Sequence, residues 1–388
     1  MNLDKNTLYK KYGESIISAL VFGGYMFLSS YEVYVAEVFG QVSRYYILLM
    51  LAYLVFVKRF ILIRWYHVTI AIWLGYYYVT LLWSPDREQA SLYILTVTVM
   101  SVLFMLIAGI DFSEQFVHLC VTMSFLWSVS LGFLGLFYTD KLAESIESRR
   151  VLTLFGVQPD PNNLVALLAV GTSIAIYRLF FGDTKRIIYL VGLALNTYGI
   201  LMCGSRSGIV VLTLQFGIAL LLTEKDDTYK SKWKRKILIV IIAIGVVTVA
   251  FLYLPEAVII RMTGQDKSLR FTDSTGRTKR WMDGVILWWN TNPVFGCGWG
   301  AKECHGTFFT FLVDTGIIGS GLFWGTVLGI AAKAIRKKNV LAILLMLSGI
   351  IPGLLIGAQN KRFFWNALII PIMLLNACHM ERSDIVYD

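Results

Sequence analysis

Charge is scarce in this sequence. Only 15% of its 388 residues are Asp, Glu, Lys or Arg, against about 25% in soluble domains, and that deficit excludes an ordinary water-soluble fold. Histidine is rarer still, at four residues, and the five cysteines have no spacing with histidine that would hold zinc. No Walker-type or dinucleotide-binding glycine loop is present, so no nucleotide site is expected. No internal repeat relates two halves of the chain and charges inside the apolar runs are few, which counts against a transporter built from matched halves. The opening "MNLDKNTLYKKYGE" has no short apolar core followed by a small-residue cleavage site, so the first apolar run is expected to be retained.

What the chain does have is apolar length. It is 57% hydrophobic and 14% aromatic, with a mean hydropathy of +0.65. Runs near 15–31, 42–57, 65–83, 91–110, 115–138, 162–181, 186–203, 208–223, 237–254, 308–331, 339–358 and 364–378 are each about long enough to cross a ~30 Å hydrocarbon core. The expected fold is therefore an all-α polytopic membrane protein of about 12 transmembrane helices, one transmembrane domain over 1–388 with a long loop at 256–307. Alternation puts Lys5, Lys10, Lys11, Lys58, the run Lys230 to Lys236 and Lys333 to Lys338 on one side. The positive-inside rule makes that side cytoplasmic, with both termini on it.

Counted by side, 13 Lys and 7 Arg fall inside, and 5 Lys and 10 Arg fall outside. Long loops escape the charge rule, so some of this excess is routine. Arginine, however, presents a rigid fork of donors that fits phosphate oxygens bidentately, which lysine does not. The outer arginines include Arg149, Arg150, Arg206, Arg261, Arg270, Arg277, Arg280 and Arg362. They point to an anionic, phosphate-containing ligand at a membrane surface, and not to nucleic acid.

The 256–307 loop carries the most specific signals. Over "RTKRWMDGVILWWN" the helical period puts Trp281, Met282, Val285, Ile286, Trp288 and Trp289 on one arc, with Arg277, Arg280, Asp283 and Asn290 opposite. An amphipathic segment of this kind suits a helix lying in the headgroup layer; packing of the loop alone is the plainer alternative. In "NPVFGCGWG", Pro293, Gly296, Gly298 and Gly300 mark a tight turn whose backbone can approach a ligand and whose N–H groups can form an anion nest. Most such turns are only turns. His305 follows just ahead of the next apolar run, where a near-neutral imidazole can take a proton from a sugar hydroxyl. "GSRSG" holds Arg206 close to the membrane surface, an expensive place for an idle cation. In "SRRVLTLFGVQPDPNNL", Asp160 to Asn163 open a helix, and N-capping alone accounts for that pattern. Trp288, Trp289 and Trp299 offer flat faces to sugar rings, although membrane anchoring explains the first two equally well. Cys297 and Cys304 are either bonded in an oxidising compartment or free small apolar residues.

The succession "CGSRSG", "GRTKRW", "NPVFGCGWG" and a histidine entering "FLVDTGIIGSG" resembles the O-antigen polymerase / O-antigen ligase superfamily. The matching positions are Arg206, Arg277 with Trp281, Pro293, Gly296 with Gly298, His305, and Gly316 with Gly319, and "GVQPDPNNLVALL" is similar to the family's Pro-Asn segment. The motifs cover roughly 150–325. Two departures stand out: Gly306 follows the histidine where Asn is frequent, and Asp314 stands two residues before Gly316. The resemblance implies a GT-C-like, metal-independent, inverting glycosyltransferase without cofactor, in the bacterial inner membrane, with its active-site loop extracytoplasmic. Its partners would be undecaprenyl-pyrophosphate-linked oligosaccharides as donor and acceptor, with a chain-length regulator as a further partner to look for. It also implies catalytic roles for His305, Arg280 and Arg277, pyrophosphate binding by Arg206, Arg270, Arg277 and Arg280, and substrate lining by Gly296, Gly298, Trp299 and Asn162. A polymerase is expected ahead of a ligase, because so compact a chain has no extra domain for an unrelated acceptor. A lipid-linked-oligosaccharide flippase is the alternative outside the enzyme class.

Overall fold

The computed structural model describes residues 15–40, 42–58, 62–141, 150–182, 186–222, scattered positions between 236 and 254, 256–263 and 277–378. In chain order the helices are α1 (Ile16–Phe39), α2 (Val42–Tyr53), α3 (Trp65–Val79), α4 (Arg87–Ala108), α5 (Glu114–Leu134), α6 (Pro161–Phe181) and α7 (Arg186–Met202). They continue with α8 (Arg206–Leu221), α9 (Glu256–Thr263), α10 (Arg277–Thr291), α11 (Thr307–Arg336), α12 (Val340–Leu355) and α13 (Arg362–Asn376). A short antiparallel ribbon, Thr139–Lys141 with Arg150–Leu152, joins α5 towards α6.

Local chemistry starts several of these helices where the sequence places it. Ser15, Ser113, Asp160 and Asn339 each accept a backbone N–H of the first turn through the side chain, and Pro161 stands where its missing N–H costs nothing. Four helices, α1, α5, α6 and α11, are long and apolar enough to cross a membrane. The segments Arg44–Val57, Tyr93–Ala108, Arg186–Met202, Arg206–Leu221, Val340–Leu355 and Arg362–Asn376 are shorter apolar helices. The chain is thus a helical membrane protein. The expected run at 237–254 lies largely outside the described residues. Two expected boundaries shift. The first helix continues past residue 31 to Phe39, since no breaker precedes Gly40, which takes a positive φ of 66°. The third ends in a 3₁₀ turn, Thr80–Trp83.

α6 lies at the centre of the bundle, with 78% of its apolar window buried, packed against α5, α7, α8 and α12. α11 packs on α3, α10 and α12, and its direction separates the two ends of the molecule. At the Arg336 end, Lys333 Nζ donates to Asn376 Oδ1 (2.7 Å) and Arg64 pairs with Asp111. The Thr307 end meets the α12–α13 connection, where Thr307 N–H donates to the Ile356 carbonyl (3.1 Å).

α11 is broken. Gly316 has φ 61° and ψ −164°, a combination essentially limited to glycine. The break frees backbone groups, and the "NPVFGCGWG" turn takes them. Cys297 N–H donates to the Val313 carbonyl (2.7 Å) and Gly298 N–H to that of Asp314 (3.1 Å). In return Ile317 N–H donates to the Pro293 carbonyl (3.0 Å) and Ile318 N–H to that of Val294 (3.3 Å). The buried Asp314 carboxylate accepts from Tyr77 O–H (2.8 Å) and Gly300 N–H (3.2 Å). A Cβ on Gly296 would stand 2.5 Å from the Asp314 carbonyl oxygen, and one on Gly298 would stand 2.6 Å from Ser84 Cα. Gly296 and Gly298, expected to line a substrate site, here pack closely against protein backbone.

Gly316→Ala should cost about 1–3 kcal/mol through its φ/ψ alone, and more through collision with Val294. Gly321→Ala, which meets open space on the same helix, should cost nothing. Thermal unfolding of the two variants in detergent micelles compares them directly.

Candidate active site

α10 carries Arg277 at its first position and Arg280 one turn into it. Its apolar arc is divided. Trp281 and Trp288 are half-buried and Gly284 is buried, whereas Met282, Ile286 and Trp289 are exposed. Gly284 is the point of closest approach, since a Cβ there would collide with Cys304 Sγ. Trp281 stacks on Phe309, with ring centroids 5.1 Å apart, and its Nε1–H donates to the His305 carbonyl (3.5 Å). Trp288 Nε1–H donates to the Pro293 carbonyl (2.9 Å). One edge of the helix is thus docked on the loop that holds His305, and the adjacent edge is left for an apolar surroundings such as lipid. Lys302 pairs with Asp283 (3.6 Å) across the same joint.

His305 sits at φ 48°, an uncommon value for a residue with a Cβ. The turn is fixed on both sides: by the Trp281 contact before it and by the Thr307–Ile356 hydrogen bond after it. Its Nδ1 is 3.6 Å from Glu303 Oε1. Partial burial lowers its proton affinity below the usual value of 6.5, the Arg280 and Arg277 charges lower it further, and Glu303 and Asp160 oppose them. Four groups from three separate stretches of sequence therefore act electrostatically on one imidazole.

Asp160 brings in the third stretch. As the cap of α6 its Oδ1 accepts from Asn162 N–H (2.8 Å) and Asn163 N–H (3.2 Å). Asn162 is 4% exposed, and its Oδ1 accepts from Ser205 (2.7 Å) and Ser207 (3.3 Å). These two serines flank Arg206, the first residue of α8. The "PDPNN" and "GSRSG" segments are thus one hydrogen-bonded corner that sets where Arg206 leaves the bundle. Asn162, expected to line the substrate site, is here a bracket between the two segments. Trp299, also expected to line the substrate site, is 2% exposed and stacked on Tyr77 with ring centroids 3.8 Å apart. Arg270 lies outside the described residues. Glu303, the nearest acid to His305, is the partner that sequence reading missed, since a lone acid in a polar loop has no pattern to mark it.

All five cysteines are free thiols. Burial, reinforced by Asp314, pushes the Cys304 thiol up to about 12, so it behaves as a small apolar residue under α10. Among the described residues no three His, Cys, Asp or Glu side chains gather as a metal-binding set.

Residues 191–324, which contain Arg206, α10, the glycine turn, His305 and the break in α11, match a family model described as O-Antigen ligase. That match supports a place in the O-antigen ligase/polymerase superfamily for this segment. No curated protein matches the chain. The family match supports a glycosyltransferase-like function in lipid-linked glycan processing.

The electrostatics can be read directly. With four histidines in the chain, NMR of histidine-labelled protein in micelles should resolve the His305 ring, which should titrate below pH 6.5. That signal should vanish in His305→Gln, and Arg280→Gln should move its midpoint upward, because removing a neighbouring cation eases protonation.

Proposed function

We propose that the chain is a polysaccharide repeat-unit polymerase, of the O-antigen or capsule kind. It would transfer an oligosaccharide from undecaprenyl pyrophosphate to the sugar end of another lipid-linked unit at the outer face of the inner membrane. The observation that carries this reading is the His305 ring held beside Arg277 and Arg280, with its protonation suppressed. A neutral imidazole amid cations suits a reaction whose leaving group is an anion and whose nucleophile must lose a proton.

In this reading Arg277 and Arg280, with Arg206 and Arg270, hold the pyrophosphate of the donor and stabilise the charge it gains as it leaves. The acceptor hydroxyl oxygen attacks the anomeric carbon from the opposite face, the carbon–oxygen bond to pyrophosphate breaks, and the configuration inverts. His305 takes the hydroxyl proton at Nε2, while Nδ1 is directed by Glu303. No metal and no cofactor is required for this balance. Twelve spans, a GT-C-like arrangement and cytoplasmic termini belong to the same proposal, as does the exposed edge of α10 lying in the headgroup layer. A chain-length regulator is a further partner in this scheme.

A ligase, which moves finished glycan to a different lipid, is the second reading, favoured by the description of the matching family model. Both are tested with purified protein, a lipid-linked repeat unit as sole substrate, EDTA and no nucleotide. A ladder of products on a gel is expected. Arg277→Ala, Arg280→Ala and His305→Ala should each reduce it by about a hundredfold or more. A single new product appearing only with a second acceptor lipid would make the chain a ligase. No product with authentic substrates would remove the enzyme reading and bring the flippase forward.

A further inference from the structure

A second cationic site lies outside residues 191–324, the segment matched by the family model. Between α1, the start of α2, α4, α6 and the N-terminus of α13 is a cavity of 420 Å³, within the range of about 300–1,000 Å³ typical of small-ligand sites. Arg44, Lys361 and Arg362 line it together with Glu32. None of its lining residues falls within 191–324, and none is Arg206, Arg277, Arg280 or His305.

Arg362 is the unusual member. Its side chain is 4% exposed, and Nη2 lies 3.0 Å from Glu32 Oε1. Its Nη1 is buried with no hydrogen-bond partner. A buried guanidinium donor without an acceptor is costly, and this one borders a cavity. Arg362 also opens α13, where the helix adds partial positive charge and unspent backbone N–H groups. With Lys361 and Arg362 against Glu32, the cavity favours an anion that can accept several hydrogen bonds.

The walls give the remainder of the ligand. Val33, Leu48, Leu95, Val99, Leu167 and Phe363 make most of the lining apolar. Of these, Val33, Leu48 and Leu95 are exposed on the surface of the bundle, so a hydrocarbon chain can lie against the rim while its head reaches Arg362. Pro159 and Asn163 form part of the wall. They flank Asp160 and Asn162, of which Asn162 anchors the corner at Arg206 and Asp160 acts on His305. The two sites thus share one structural wall.

We propose that this cavity holds the phosphate end of a prenyl phosphate lipid, and that this lipid carries the acceptor. The acceptor role rests on the transferase reading above; the binding claim does not. A transfer between two lipid-linked molecules needs two phosphate holds at one face, and Arg277 with Arg280 supplies only one.

The test uses the full chain in micelles with a benzophenone-bearing short-chain prenyl monophosphate as probe, and maps the photolabelled peptides by mass spectrometry. Label is expected within 29–48 or 93–100. Excess unlabelled prenyl phosphate should compete, while inorganic phosphate and the uncharged prenol should not. Arg362→Gln should reduce labelling about tenfold or more, as loss of a charge-assisted phosphate contact does. Because that change also strips Glu32 of its partner, Thr96→Trp, which fills the cavity and spares the ion pair, is the second variant and should reduce labelling equally. Label elsewhere, or label indifferent to both variants, overturns the proposal. Equal competition by inorganic phosphate overturns it in favour of a free-anion site, and equal competition by the prenol in favour of a merely apolar groove. Labelling needs no glycan and no turnover, so a specifically labelled but inactive chain would retain the site and remove the transferase reading.

Discussion

A helix that breaks inside a membrane leaves backbone donors and acceptors with no water to meet them, and α11 breaks at Gly316. The groups it releases are met by the backbone of the turn at 293–298, donor to acceptor in both directions. This splice fixes the loop at 292–306. It sets the turn against Tyr77, Ser84 and Asp314, it brings α10 onto Cys304 through Gly284, and it leaves His305 on the short link between them. The position of Arg277 and Arg280 relative to the imidazole follows from hydrogen bonds that neither residue makes.

The site gains its chemistry from opposed charges gathered around a partly buried ring. Arg280 and Arg277 disfavour the imidazolium, while Glu303 and Asp160 favour it, and burial tips the balance to the neutral form. An incoming pyrophosphate would add negative charge beside the same arginines. It would thereby ease protonation of His305 as the donor binds, so that the ring is a better proton acceptor in the loaded site than in the empty one. The ordering is physically useful, since proton uptake matters only once both substrates are present.

Much of this was legible in sequence, and for identifiable reasons. The apolar runs follow from length, the start of the helix at 161–181 follows from Asp160 and Pro161, and the helix at 277–291 follows from a 3.6-residue period. Arg206, Arg277, Arg280 and His305 stand in a recognisable succession of motifs. The close packing of Gly296, Gly298 and Trp299 was not legible in the sequence, for one reason. A turn rich in glycine looks the same whether its backbone approaches a ligand or another stretch of chain, and only the break in α11 decides between them. Asn162 bonded to Ser205 and Ser207, and Arg362 beside Glu32, join positions far apart in the chain. No local period or spacing encodes such pairings.

The splice at Gly316 is best tested by amide hydrogen exchange of the unmodified protein in micelles, read over the peptide 293–300. A solvent-facing glycine turn exchanges at the rate of a free loop. Slow exchange at Cys297 and Gly298, comparable to the amides of α11 on either side of its break, is the expected result. Exchange at the free-loop rate would contradict it, and with it the placement of α10 over His305.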